Sequence, residues 1–271
     1  MDLVSSEKIT LQRIASPDAL NTLLQSFNAL PSNSASLYLS STSQNLIIYV
    51  APKRVVNKIS LAYLAKALHH GERSACALKD LLETGTATKV FFDARKTAKA
   101  LLNSCAIRLS NPPGTGRAHI HEVQMMELAL RPSDSDREWL AKFDRCIAQD
   151  SNIDINVLMP DGLGWSNQFD KRILHLPTLW RKYHDGLLAN HNNFGGGGFW
   201  VAKIREATQK RLAVSCGESQ LGYSIDSAES GWDREMIEEE TEVWNDGLLD
   251  DAHHHGEILG GAEHWAKFDM L

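Results

Sequence analysis

Cysteine is scarce in this chain and never paired in sequence: Cys76, Cys105, Cys146 and Cys216 stand singly among 271 residues, with no C-x-x-C spacing. That excludes a zinc knuckle and a secreted disulfide framework, and it fits a reduced compartment. Long apolar runs are lacking too. No stretch approaches the roughly 20 consecutive apolar residues of a membrane span, and the opening MDLVSSEKITLQR has no signal-peptide layout. The expectation is an intracellular protein with no membrane partner, nuclear or cytoplasmic residence being unspecified. Basic residues are missing from one region in particular. Residues 229–251 hold ten acids against Arg234 alone, a net of −9 in a chain of net −6, which leaves +3 for the remainder. A mildly basic body with an acidic tail is compatible with nucleic-acid contact, and equally with a solvated tail.

What is present is a core-forming composition, 43% hydrophobic, enough for one large domain or two small ones. Residues 37–50 hold two apolar, β-branched runs separated by polar residues 41–45, the pattern of a β-hairpin. KISLAYLAKAL reads as a third strand passing into helix. ACALKDLLET places Ala75, Leu78, Leu81 and Leu82 at helical spacing and ends at Gly85. KVFFDA is a short buried strand, and KTAKALLNSC a helix with Ala98, Leu101 and Leu102 inward. Residues 137–148, REWLAKFDRCIA, read as helical. FDKRILHLPTLWRKYHDGLL keeps Ile173, Leu176, Leu179, Trp180, Tyr183 and Leu187 on one face despite Pro177, so Trp180 and Tyr183 are expected in the core. Glycines 195–198 precede a further amphipathic helix, and past Gly217 the one helix candidate is WDREMIEEETEVW. Three strands, then helix, strand, helix and a helical half make an α/β layer.

Three segments carry more than a fold class: LYLSSTS; LKDLLETGTATKVFFDARKTAKALL with the following HEVQMMELALR; and FDKRILHLPTLWRKY. Together they resemble the 3′-5′ exonuclease domains of the RNase D and Werner exonuclease family. Members of that family typically show LYxDLEG, then KVFFDVRNDSDALF with DVQLMELATR, then EYCVQDVxxLPxLWxxY. The resemblance covers residues 35–215. It implies a ribonuclease H-like fold, a mixed sheet flanked by helices, with a domain over residues 20–215 and an acidic, partly disordered C-terminal extension over 216–271.

The family's chemistry uses four carboxylates to hold two divalent ions about 3.5–4 Å apart. A tyrosine or histidine one turn before the last aspartate acts on the attacking water. In this chain Ser40 stands at the first aspartate and Thr42 at the glutamate. Lys99 stands at the second-motif aspartate, with Thr97 at the earlier aspartate of the same run; Arg172 takes the last aspartate and Gln168 the tyrosine. The resemblance therefore implies a degenerate DEDD motif with no catalytic residue, no metal site and no cofactor. Mg2+ or Mn2+ enters only if displaced acids complete a site. Asp170 lies about 200° round a helix from Arg172 and so is expected to face away. Asp93 and Glu122 sit in retained segments, but two acids are fewer than the family uses.

Lys99 and Arg172, with Arg95, Lys96 and Lys171 near them, form the candidate nucleic-acid-binding set, cations standing where metals once neutralised phosphates. The alternative is that these side chains reach solvent or pair with Asp93, Glu122 or Asp170. The functional expectation is an exonuclease-like module that has lost two-metal catalysis. It would bind single-stranded RNA or DNA, or serve as a protein-interaction module through the acidic segment bearing Trp232, Met236 and Trp244. An active exonuclease with displaced ligands is the alternative.

Three other patterns carry less. NPPGTGRA imitates a phosphate loop, but Asn111, Arg117 and Ala118 occupy three of its diagnostic positions. His119 and His121 flank one residue, which suits an exposed strand, and residues 253–255 are a histidine run in an acidic tail; neither is a zinc spacing.

Overall fold

A computed structural model describes residues 8–27, 30, 35–109, 119–132, 135–154, 169–190, 196–220 and 222–255. Six strands form one sheet: β1 (Thr10–Ile14), β2 (Leu37–Ser41), β3 (Asn45–Val50), β4 (Val55–Ser60), β5 (Lys89–Phe91) and β6 (Ile120–Glu122). Their order is β1-β4-β3-β2-β5-β6. Only β3 runs against the others, because β1 and β4 are parallel, β3 is antiparallel to both its neighbours, and β2, β5 and β6 are parallel. Five strands therefore end at the same edge.

The β2–β3 hairpin forms where the polar turn was expected. The Thr42 hydroxyl accepts the Gln44 and Asn45 N–H groups at 3.3 and 3.0 Å, closing the turn with a side-chain acceptor. Strand alternation then sorts the side chains. Leu37, Leu39, Leu46, Ile48 and Ile59 face a layer containing α1 (Pro17–Phe27), α2 (Leu61–His69), α3 (Arg73–Glu83) and α4 (Arg95–Cys105). Tyr38, Ile47, Tyr49, Val56 and Val90 face the opposite layer. That second layer is built from α5 (Val123–Leu130), α6 (Phe143–Asp150), α7 (Leu176–Asn190), α8 (Gly196–Ser215), α9 (Ile225–Glu229) and α10 (Arg234–His255). Trp180 and Tyr183 lie in its core as their helical face implies. Pro177 is tolerated because it sits in the first turn of α7, where its missing N–H has no partner to lose; a 3-10 turn, Lys171–His175, leads in.

The sheet takes in β1, which pairs with β4 along its whole length. Two sequence expectations differ from the structure. Residues 137–140 are not helical, and α6 begins only at Phe143. The carbonyls a helix would use internally are taken elsewhere: those of Asp136 and Trp139 accept the Arg131 guanidinium, and those of Arg137 and Glu138 accept the N–H groups of Trp232 and Gly231 at 2.7 Å. A Cβ on Gly231 would collide with the Arg137 carbonyl, so glycine permits this close approach. Finally, His119 and His121 are buried rather than exposed, and His121 Nδ1 accepts the Trp180 indole N–H at 3.0 Å. The phosphate-loop look-alike falls outside the described residues, as does Gln168. Among the described residues no helix is long and apolar enough to cross a membrane.

Candidate functional site

The carboxyl ends of β2, β5 and β6 bring the motif segments together. Ser40 and Thr42 sit at the end of β2, half-buried and exposed respectively. β5 ends at Phe91, with Phe92 and Asp93 following, and β6 ends at Glu122. The 3-10 turn that carries Arg172 packs against β2. Phe92 stacks on Phe143 at 4.2 Å between ring centroids, and the Arg172 guanidinium lies over the far ring at 5.5 Å. Arg172 is thus carried to the β5 end by an aromatic stack.

Charge at this place is resolved within the protein. Glu122 is wholly buried, and one oxygen accepts the Ala94 N–H at 2.8 Å while the other accepts Arg211 Nε at 3.1 Å. Asp93 accepts Arg95 through both oxygens at 2.8–2.9 Å and Arg211 at 3.4 Å. Arg211 also donates to the Gln124 side-chain oxygen at 2.9 Å and to the Ala228 carbonyl at 2.7 Å, which Arg95 meets from its other side at 2.8 Å. Two carboxylates and two guanidiniums are therefore interlocked beneath α9. Burial pushes the Asp93 carboxyl up, but the Arg95 hydrogen bonds and the charges of Arg211 and Arg95 outweigh it, leaving the group below the usual carboxylate range. Burial pushes Glu122 above that range, with Arg211 drawing it back.

Arg211 had no place among the sequence candidates. Its signal was its position: on α8 it shares a buried stripe with Ile204, Ala207, Thr208 and Leu212, and an arginine on an apolar helical stripe requires a buried acid. The five cations read from the sequence are not one cluster. Arg95 turns inward to Asp93. Lys96 and Lys99 are exposed on the outer stripe of α4, while Thr97 and Ala98 are buried. Lys171 is half-buried. Arg172 is exposed and pairs with Asp170 at 2.7 Å and Asp144 at 3.3 Å. Asp170 does not face away from it, because it occupies the extended N-cap position of the 3-10 turn, where its carboxylate also accepts the Arg172 N–H.

The fold is similar to that of solved nucleases. RNase D of Trypanosoma brucei in complex with U12 RNA superposes with a TM-score of 0.56 at 13% identity, over 87% of this chain and 80% of that one. The same enzyme with GMP gives a TM-score of 0.55 at 11% identity, over 86% and 72%. The chain has the RNase D fold. At such identity the likeness concerns architecture, and chemistry must be argued from side chains. No protein-family model matches the chain, and comparison with curated protein sequences finds no match.

Exonucleases of this fold class imply divalent metal, so the donor set can be tested for it. Hard cations need several oxygen ligands, largely carboxylate. At the edge of this RNase D fold, Ser40 and Thr42 offer neutral hydroxyls, Thr97 a buried hydroxyl, and Arg172 a positive charge. All four oxygens of Asp93 and Glu122 are engaged by N–H donors. Among the described residues no group of three or more His, Cys, Asp or Glu is placed to hold a metal ion. The residues present do not fit a two-metal centre.

Proposed function

We propose that the protein binds single-stranded nucleic acid without hydrolysing it, on an RNase D fold whose cutting centre has become a structural ion-pair core. One observation carries this reading: the two acids remaining at the strand ends, Asp93 and Glu122, are ion-paired with Arg95 and Arg211, and each of their oxygens already accepts an N–H donor. Removing metal ligands removes the means to activate water and steady the leaving oxygen, but it leaves the strand-binding surface in place. The neighbouring RNase D structure holds U12 RNA, which supports RNA as the first ligand to try. Lys96 and Lys99 on α4, with Lys171 and Arg172 across the edge, are the cations proposed to meet phosphates. Arg172 keeps a role there although ion-paired, since its exposed guanidinium retains donor capacity.

The test is binding of labelled oligouridylate in EDTA, for the native protein and for Lys99→Glu with Arg172→Glu. Metal-independent binding weakened about tenfold by the pair of reversals is the expected result. Binding that needs Mg2+ or Mn2+ and proceeds to cleavage would restore the exonuclease reading. A second reading has its own support: α10 is anchored by buried Ile237 and by Trp232 just before it, and presents Met236 and Val243 outward one heptad apart, with exposed Trp139 in the segment the tail is bonded to. An acidic helix with outward apolar residues suits a protein partner.

A further inference from the structure

The sheet edge that carries Ser40 continues sideways into a second feature. In the β1–β4 register Arg13 lies opposite Lys58; Lys58 is opposite Ile47 of β3, and Ile47 opposite Ser40 of β2. These four residues form one lateral row on one face of the sheet. With strands about 4.8 Å apart, Lys58 stands about 10 Å and Arg13 about 14 Å from Ser40 along that row.

A cavity of ≈ 540 Å³ opens at this end of the strands. Its wall includes the cations Arg13 and Lys58 and the hydroxyl or amide side chains of Ser43, Gln44, Asn45 and Ser60. Among the described residues no aspartate or glutamate lines it. The wall also takes in the start of α2, where Ser60 caps the Tyr63 N–H, the Leu61 N–H meets the Gln44 carbonyl at 2.9 Å, and Ala62 faces the cavity. The positive end of the α2 dipole thus adds to the two side-chain charges. A smaller cavity of ≈ 340 Å³ elsewhere makes the contrast: there Arg108 and Lys210 are matched by Glu206 and Glu218, so an anion would be repelled as much as attracted.

We propose that the β1–β4 cavity is a phosphate site, taking phosphate oxyanions on Arg13, Lys58 and the surrounding O–H and N–H donors. Resting on the nucleic-acid reading above, its ligand is the backbone of a single strand that passes the Ser40 position and continues along the row. The cations that bind the strand then lie partly outside the old catalytic centre, where loss of the metal ligands did not touch them.

The experiment uses the full chain and two probes: fluorescein-labelled oligouridylate followed by anisotropy across a salt series, and inorganic tripolyphosphate followed by its effect on Tm. The variant is Arg13→Gln with Lys58→Gln, checked by far-UV circular dichroism; Arg13→Gln alone, at an exposed position, serves if the pair fails to fold. The expected result is about tenfold weaker oligonucleotide binding and a salt slope shallower by about 1.4, at about 0.7 per lost phosphate contact, or half that for the single variant. Equal binding and equal slope for native and variant overturn the cavity site and leave the nucleic-acid reading standing. If the native protein binds no oligonucleotide while tripolyphosphate raises its Tm and not that of the variant, the site stands for free polyphosphate and the nucleic-acid reading falls. If neither probe acts on the native protein, both fall.

Discussion

The two halves of the strand-end edge treat charge in opposite ways. On the β5–β6 side Asp93 and Glu122 are buried and answered by Arg95 and Arg211, with α9 laid over them through the Ala228 carbonyl. On the β1–β4 side Arg13 and Lys58 line an open cavity that no carboxylate of the described residues lines. One half is closed and neutral, the other open and basic. The buried ion pairs themselves offer a phosphate chain nothing; on the proposed reading it meets the exposed Lys96, Lys99 and Arg172 around them and Arg13 and Lys58 in the cavity. The comparison teaches that, in this RNase D fold, the ends of β5 and β6 carry a buried ion-pair network, while the open cationic cavity proposed as a phosphate site lies to the side.

The sharpest way to break the comparison is to remove Arg211. Arg211→Met leaves Glu122 buried without its charged partner, and stability is expected to fall by about 3–5 kcal/mol, read as a drop in Tm of roughly 10 °C. Adding Glu122→Gln to that variant should recover part of the loss, because the uncompensated charge goes with it. If Arg211→Met alone costs less than about 1 kcal/mol in a denaturant titration, the closed half is not held by this ion pair.

Lys89 sharpens the contrast on pH. It starts β5 wholly buried, its ammonium donating to the Leu81 and Gly85 carbonyls, and burial lowers its pKa to about 8 from 10.5. The unfolded chain keeps the proton up to its higher pKa, so stability is expected to rise as pH goes from about 8 to about 10.5, by on the order of 3 kcal/mol. Lys89→Met should flatten that slope in chemical unfolding across the same window. Next in size are the roughly tenfold binding losses already set out for the Arg13 and Lys58 pair and for Lys99 with Arg172. The smallest effect belongs to α10: Met236→Ser with Val243→Ser should change stability by no more than about 0.5 kcal/mol and leave oligonucleotide binding unaltered, since both side chains are exposed. A binding change there would move the nucleic-acid surface onto the tail.

Much of the fold was legible because local pattern and global position agree. The hairpin over residues 37–50, the helix from Arg73, the short KVF strand and the helix with Ala98 and Leu101 inward all lie where periodicity put them. The helix expected at Trp139 failed for a reason no local pattern holds: its carbonyls are claimed by Arg131 and by the tail at Gly231 and Trp232, about 95 residues away. At the site, substitutions at Ser40, Thr42 and Arg172 could be read from the motifs, but their consequences could not. That Asp170 pairs with Arg172 depends on a cap geometry rather than on helical spacing, and that Arg211 reaches Glu122 depends on how α8 crosses β6. Arg13 and Lys58 are unremarkable until the register sets them side by side.

The measurement that bears most directly on the central claim is a degradation time course with 5′-labelled single-stranded RNA and DNA. Protein is held in excess, Mg2+ or Mn2+ is set against EDTA, and anisotropy shows the strand bound throughout. The account predicts a bound and intact strand in every lane. A ladder shortening from the 3′ end, present with metal and absent with EDTA, would contradict it.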